Sequence, residues 1–259
     1  MKKRIKLIAL LVTLFVFVVG GFNIYCEVYA APRIPTPKLS TIVLKGSNTV
    51  VLKWNKVRNA KKYLIYCSED GAGYEKIAST EDKIYVHKGL QLSTRYSYKI
   101  KAVAGKNKSK ASKVKRISTA SSGYLLDIVK PYKKAVGYEE YNRLTFSMAG
   151  DEYSHGFTNT AYGNEAEDAI VYFNLHGDYR KLSFVAGDVS GGSAYNIIIY
   201  TDGEPAHTVT LSPNGLPTNH TVNIEDCSQL AIGASRLDGK SSPYYLGGSY
   251  GIGELKVYK

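Results

Sequence analysis

The chain has 259 residues, with 34 Lys and Arg against 22 Asp and Glu and a formal charge of +12. That length suits one or two ordinary domains, and three cysteines are too few for a disulfide-stapled scaffold. Beyond residue 22 no apolar run approaches the ~18 residues that would span a bilayer.

At the start, Lys2, Lys3, Arg4 and Lys6 precede an almost wholly apolar stretch over 7–22, and Val28-Tyr29-Ala30 then offers the short residues of a cleavage site. This pattern predicts an export signal over 1–30, cut after Ala30. The protein is expected to be secreted, with retention at the cell surface by an uncleaved leader or by charge as the alternative. Nucleic acid is not an expected partner in that compartment, and no nucleic-acid motif occurs. The two remaining cysteines, Cys67 and Cys227, fall in different halves and read as separate buried thiols. Charge also divides the chain. Residues 33–118 carry 20 Lys and Arg against 5 Asp and Glu, a net +15, whereas 119–259 carry 10 against 16, a net −6. The first half therefore invites an anionic partner such as a cell-wall polymer.

The Pro-rich stretch 32–37 is an extended lead-in. Strands are predicted at 49–54, 63–67 and 96–103. The last alternates, with Tyr96, Tyr98, Ile100 and Ala102 on one face. Asn48, Asn59, the cluster 70–73 and Gly105 supply the turns. Trp54, then Tyr63-x-Ile65-Tyr66, then Leu92-x-x-x-Tyr96-x-Tyr98-x-Ile100-x-Ala102-Val103 resemble a fibronectin type III domain over 33–118. The resemblance implies a β-sandwich acting as a spacer, with Trp54 as a core residue.

Residues 119–123 read as a short polar linker. Past it, Tyr and Gly become common and Lys scarce. Strands are predicted at 143–147, 168–175, 182–186, 195–200, 207–211, 221–224, 230–234 and 252–258, and no segment has a helical period. Three links are tight, at 176–178, 202–204 and 225–227. They alternate with long links at 148–167, 187–194, 212–220 and 235–251. Antiparallel strands reverse direction at each link, so the long links should crowd one rim of the sandwich. An elaborated rim on a rigid scaffold is a usual place for binding.

Several segments in this half carry a second resemblance. They are Gly156-Phe157, the run Phe173-Asn174-Leu175-His176-Gly177-Asp178-Tyr179, Ala186-Gly187-Asp188, Asp202-Gly203 and Leu230-Ala231-Ile232-Gly233-Ala234. Together they resemble the NPCBM carbohydrate-binding modules, a family of galactose-binding-like sandwiches, over 124–259. The fold expected for the chain is thus all-β, with two β-sandwich domains, fibronectin type III-like and then a galactose-binding-like jelly roll. The resemblance implies a neutral or galactose-like glycan as ligand. It also implies a structural calcium ion, with Glu254 as a candidate ligand, although a surface Glu on an alternating strand explains that residue equally well. No other cofactor is expected.

Sugars are held by aromatic faces against C–H groups and by polar tips against hydroxyls, and Tyr offers both. The candidate sugar-binding residues on the long links are Tyr162, Tyr244, Tyr245, His155, Arg236 and Asp188, with Tyr153, Tyr250, Asn159 and Asn164 nearby. Catalysis is not expected. The match at Gly247-Gly248-Ser249-Tyr250-Gly251 leaves only eight residues downstream, none of them His, so it cannot build a nucleophile elbow. No Cys-x-x-Cys or His-x-His spacing suggests a metal site. Two rival functions stay open: an adhesive protein binding other proteins, and a small glycoside hydrolase using the cluster Glu165, Glu167 and Asp168.

Overall fold

The computed structural model describes residues 18–19, 22–23, 33–160, 170–191, 194–237 and 248–259. Val18–Val19 (β1) and Phe22–Asn23 (β2) form a short antiparallel pair. The rest of the expected leader, including its cleavage site, lies outside the described residues. No helix among the described residues is long and apolar enough to cross a membrane.

The first module is built of Leu39–Lys45 (β3), Thr49–Trp54 (β4), Lys62–Glu69 (β5), Glu75–Thr80 (β6), Ile84–His87 (β7), Arg95–Ala104 (β8), Asn107–Lys108 (β9) and Lys115–Ser118 (β10). One sheet runs β3-β4-β7. The other runs β10-β8-β5-β6, with β9 paired to β8. The alternation read in 96–103 is real: Tyr96, Tyr98, Ile100 and Ala102 are all buried against Val50, Leu52, Trp54 and Ile65. Each large apolar side chain buried in this way contributes about 1.5–3 kcal/mol. Trp54 is core, 4% exposed, with its ring edge-on to Tyr63 at 5.5 Å. The Tyr96 hydroxyl accepts from the Gln91 backbone N–H at 3.0 Å and pins the loop that enters β8.

The second module begins at Ser122–Tyr124 (β11), followed by one helical turn, Leu125–Ile128 (α1). Then come Tyr138–Tyr141 (β12), Phe146–Met148 (β13), Asp151–Tyr153 (β14), Gly156–Thr160 (β15), Ile170–Asn174 (β16), Lys181–Asp188 (β17), Tyr195–Thr201 (β18), Glu204–Leu211 (β19), Thr218–Asn223 (β20), Gln229–Arg236 (β21) and Ser249–Tyr258 (β22). One sheet has the order β12-β15-β22-β17-β20, with β11 also on β22. It packs against a sheet of order β16-β21-β18-β19. Phe157, Phe173, Leu182, Ile197, Ile232, Ile252 and Val257 fill the space between them. Both sheets are antiparallel throughout and both modules are sandwiches, so the all-β expectation holds. The turn α1 was not anticipated. It forms because Leu125 and Leu126 are both fully buried, and core packing decides where propensity does not.

The polar stretch 119–123 is bonded along its length. Thr119 and Thr94 exchange backbone and hydroxyl hydrogen bonds. The Ala120 N–H donates to the Ser47 carbonyl at 3.1 Å, and the Ser121 carbonyl accepts from Lys259 N–H at 3.1 Å. Leu92 of the first module belongs to the core cluster of the second. Cys67 and Cys227 are free, buried thiols in different modules. Burial, aided by the nearby Asp202 carboxylate, pushes the Cys227 thiol up to about 11.

Candidate functional site: one rim of the second sandwich

Strand register fixes which ends of the strands lie together. Thr160 is opposite Ser249, Asp188 opposite Tyr250, and Tyr195 opposite both Leu211 and Arg236. Ile170 pairs with Gly233 and Thr218 with Ala186. The links leaving β15, β17, β19 and β21 therefore all depart from one end of the sandwich. The links 175–180, 202–203 and 224–228 close the other end. Three of the four long links read in the sequence leave from this end as expected, whereas the first, 148–167, is interrupted by β14 and β15 and only its continuation past Thr160 leaves from the rim.

Asp188, the last residue of β17, organises this rim. It is 8% exposed, and its Oδ2 accepts the Gly191 N–H at 2.6 Å and the Asn214 N–H at 3.3 Å. One carboxylate oxygen so ties the β17–β18 link to the β19–β20 link. The other oxygen, Oδ1, is buried with no hydrogen-bond partner among the described residues, and the hydroxyl of Tyr195 at the rim end of β18 is in the same state. Burial first, then the Asp188 charge, raises the Tyr195 phenol pKa well above its ordinary value. Unpaired buried polar groups are costly, about 1–3 kcal/mol each, so their presence under a rim is a feature of interest.

Three large apolar side chains stand exposed on three different rim links: Val189 at 38%, Leu216 at 80% and Leu237 at 54%. The sequence reading, directed at Tyr, missed them. The signal available was Leu216 beside the turn Pro213-Asn214-Gly215, where an apolar residue in a polar loop has no core to enter.

Tyr162, Tyr244 and Tyr245, with Asn164, fall outside the described residues. Arg236 is the last residue of β21, so its backbone is at the rim as expected. Tyr250 is not on the rim surface. It is fully buried between Phe157 and Tyr195, and its hydroxyl accepts from Asn159 Nδ2 at 3.2 Å. Tyr153 packs on Phe146 in the β13–β14 hairpin.

His155 is likewise not on the rim. The unread strand β15 carries the chain from His155 to the rim at Thr160, about 16 Å away at ~3.3 Å per residue. His155 instead lies flat on Tyr124, with ring centroids 3.7 Å apart and an interplanar angle of 7°. Its Nδ1 is 3.8 Å from Asp127 Oδ2.

Glu254 sits on a bulge in β22 at φ +50°. Its Oε2 accepts from the Tyr124 hydroxyl at 2.8 Å and lies 3.7 Å from Lys256 Nζ. Its Oε1 accepts from Ser154 Oγ at 3.4 Å. These three side chains, Tyr124, Ser154 and Lys256, each bring a proton or a positive charge, which suits a carboxylate already satisfied by the protein. That donor set does not fit a calcium ion, which needs six to eight oxygen ligands. Among the described residues, no group of three or more His, Cys, Asp or Glu is placed to hold a metal. The Ser249 Oγ donates to Thr160 Oγ1 at 3.1 Å and its N–H to Ser190 Oγ, and neither bond is to an acid or a base. Glu165, Glu167 and Asp168 fall outside the described residues.

No family model matches the sequence, and no curated protein matches it. Among solved structures, the chain is similar to the sixth fibronectin type III domain of human fibronectin type III domain containing protein 3. The identity is 14% and the TM-score 0.33, over 36% of this chain and 91% of that one. It is similar to CBM51 from Clostridium perfringens GH95 in complex with methyl-galactose, at 16% identity and TM-score 0.37, over 52% of this chain and 99% of that one. It is also similar to the CBM51-2 and INT domains from Clostridium perfringens ZmpB, at 11% identity and TM-score 0.41, over 64% of this chain and 38% of that one.

Proposed function

We propose that this is an exported, non-catalytic glycan-binding protein whose second module takes a neutral or galactose-like sugar on its long-link rim. The observation that carries the reading is a pair of buried polar groups at the rim end of β17 and β18, the acceptor Asp188 Oδ1 and the Tyr195 hydroxyl, neither with a hydrogen-bond partner among the described residues. A sugar hydroxyl donates and accepts at once, so it can satisfy both where an apolar ligand satisfies neither. The exposed Val189 and Leu216 side chains offer apolar contact to sugar C–H faces. They also keep the adhesive reading alive, since exposed apolar loops serve protein partners as well.

A glycan array probed with the whole chain separates the two readings. Sugar binding should be modest, with Kd on the order of 10 µM to 1 mM. Methyl-galactose, the ligand of one similar structure, is the first sugar to test by calorimetry. Tyr162→Ala, Tyr244→Ala and Tyr245→Ala should each be compared with Tyr258→Ala, which sits at the opposite end of β22. Loss of a contacting ring should weaken binding about ten-fold. An array without a hit, or three rim variants that bind as the parent does, refutes the assignment.

A further inference from the structure

The net charge of the first module says only that anions are attracted to it. The placement of its cations says where. None of the Lys and Arg side chains of residues 33–118 is in an ion pair among the described residues, whereas the second module pairs Lys130 with Glu140, Arg180 with Glu225 and Lys259 with Asp178. A charge without an internal partner remains free to meet an external one.

Register then sorts these cations by face. Inward positions of β8 are Tyr96, Tyr98, Ile100 and Ala102, so Arg95, Ser97, Lys99, Lys101 and Val103 point outward. Cross-strand partners share a face. Tyr66 therefore stands beside Lys99 with Lys76 on its far side, while Arg116 stands beside Ser97. Lys62 and Lys108 stand on either side of Val103. Seven cations from five strands share this face, and no outward strand position on it is Asp or Glu.

The cations form a track along β8, about 26 Å from Arg95 to Val103 at ~3.3 Å per residue. A cavity of about 280 Å³ lies at the end nearer the second module, lined by Arg95, Arg116, Ser97 and Ser118. Asp70, the one acid there, already accepts the Arg95 backbone N–H through Oδ1 at 2.8 Å. A second cavity of about 550 Å³, with Arg33, Lys108 and Lys110 in its wall, lies at the other end. Between them the ammonium groups are held over rings, Lys99 Nζ 3.6 Å from the Tyr74 centroid and Lys101 Nζ 5.5 Å from that of Tyr66.

We infer that this face binds a linear, hydroxyl-bearing polyanion, with the Arg95–Arg116 cavity holding one sulfate or phosphate group. Serine hydroxyls between the cations suit a polymer that also carries hydroxyls. A lipid surface would want apolar side chains there, and the exposed Val43, Ile84 and Val86 belong to the opposite sheet. The site stands independently of the sugar rim.

The test uses the whole chain, with heparin as the sulfated probe, poly(glycerol phosphate) as the phosphorylated one, and vesicles of mixed zwitterionic and anionic lipid as the third. Lys99→Glu/Lys101→Glu is compared with Lys45→Glu/Lys53→Glu, which makes the same charge change on the opposite sheet. Affinity for at least one polymer should fall with rising salt and drop roughly thirty-fold or more in the first variant, against about three-fold in the second. Whichever polymer responds identifies the anion. Melting of both variants checks that they fold, and Arg95→Gln/Arg116→Gln, which changes no core residue, gives a second reading of the same face. Equal losses in the two Lys variants, salt-independent binding, or tighter binding to the vesicles than to either polymer overturns the inference. Methyl-galactose binding should be unchanged in all three variants.

Discussion

Ser47 and Gly123 lie in direct contact across the boundary between the two modules. A β-carbon on Gly123 would come 2.5 Å from Ser47 Oγ and 2.6 Å from Ile128 Cδ1. With Leu92 in the second core and every residue of 119–121 hydrogen-bonded, the modules form one joint with no slack segment.

The expected consequence is mechanical and thermal coupling. The two closest atoms are side-chain ends that can move, but Ser47 Cβ at 2.9 Å moves only with its backbone, so Gly123→Ala should cost about 2–3 kcal/mol. Gly123→Val should force the modules apart. Calorimetry should then show the single wild-type transition broadening or dividing in two. A wild-type chain that already melts in two independent steps contradicts the coupling.

Gly156 is a different kind of close approach. A β-carbon there would overlap the Ile252 carbonyl oxygen and crowd Gly253 Cα, both backbone. Neither can yield without breaking the β15–β22 pairing. Gly156→Ala should therefore cost at least about 3 kcal/mol, roughly 6–12 °C in Tm. Gly73→Ala, with nothing within 4 Å of its added carbon and no positive φ, should melt as the parent does.

Legibility in the sequence followed burial. Strands dense in Val, Ile and Tyr, such as β4, β5, β8, β18 and β21, declare themselves because they fill cores. Strands β12, β14 and β15 did not, since Tyr138-Glu139-Glu140-Tyr141 and Gly156-Phe157-Thr158-Asn159-Thr160 are too polar to read as core. They pair because their neighbours leave edges open, and Asn159 is fully buried there with its Nδ2 donating to the Tyr250 hydroxyl. Missing β15 put His155 and Tyr153 on the wrong end. The rim itself survived the miscount, because every strand from β16 onward was counted and parity depends on those alone. The role of Asp188 as a clamp between two links was invisible, as it rests on a contact 26 residues away in sequence.

His207 Nε2 and His220 Nδ1 are hydrogen-bonded at 3.1 Å, joining the edge strand β19 of one sheet to the edge strand β20 of the other. Thr218 Oγ1 bonds the other ring nitrogen of His220, and Phe184 stacks on that ring. Burial, then the His207 charge, lowers the His220 pKa below 6.5. Burial lowers that of His87 as well. With the folded pKa depressed, the unfolded chain takes up protons first as the pH falls. This stability is present above pH 6.5 and is lost progressively below it. Melting from pH 7.5 to 5 should show Tm falling in the parent and falling less in His220→Gln. Parallel curves would mean that the pair carries no such linkage.

Tyr195 offers the sharpest separation of folding from binding. Its ring is 1% exposed and fills the core beside Tyr250, while its hydroxyl has no hydrogen-bond partner among the described residues. For folding alone the hydroxyl is a burden, so Tyr195→Phe should leave stability unchanged or raise it by about 1 kcal/mol. If a bound sugar satisfies that hydroxyl, the same variant should weaken methyl-galactose binding about ten-fold, since a neutral hydrogen bond contributes roughly 1 kcal/mol net. Asp188→Asn supplies the companion test. Its remaining oxygen can still hold the Gly191 and Asn214 amides, which hydrogen exchange would report as protected, while an NH2 replaces the free acceptor. Binding should fall in Asp188→Asn with that protection retained, and Asp188→Ala should lose both. A Tyr195→Phe protein that binds sugar as tightly as the parent, together with an Asp188→Asn protein that does the same, would show that neither buried group meets the ligand. The rim would then have to bind through its outer side chains alone.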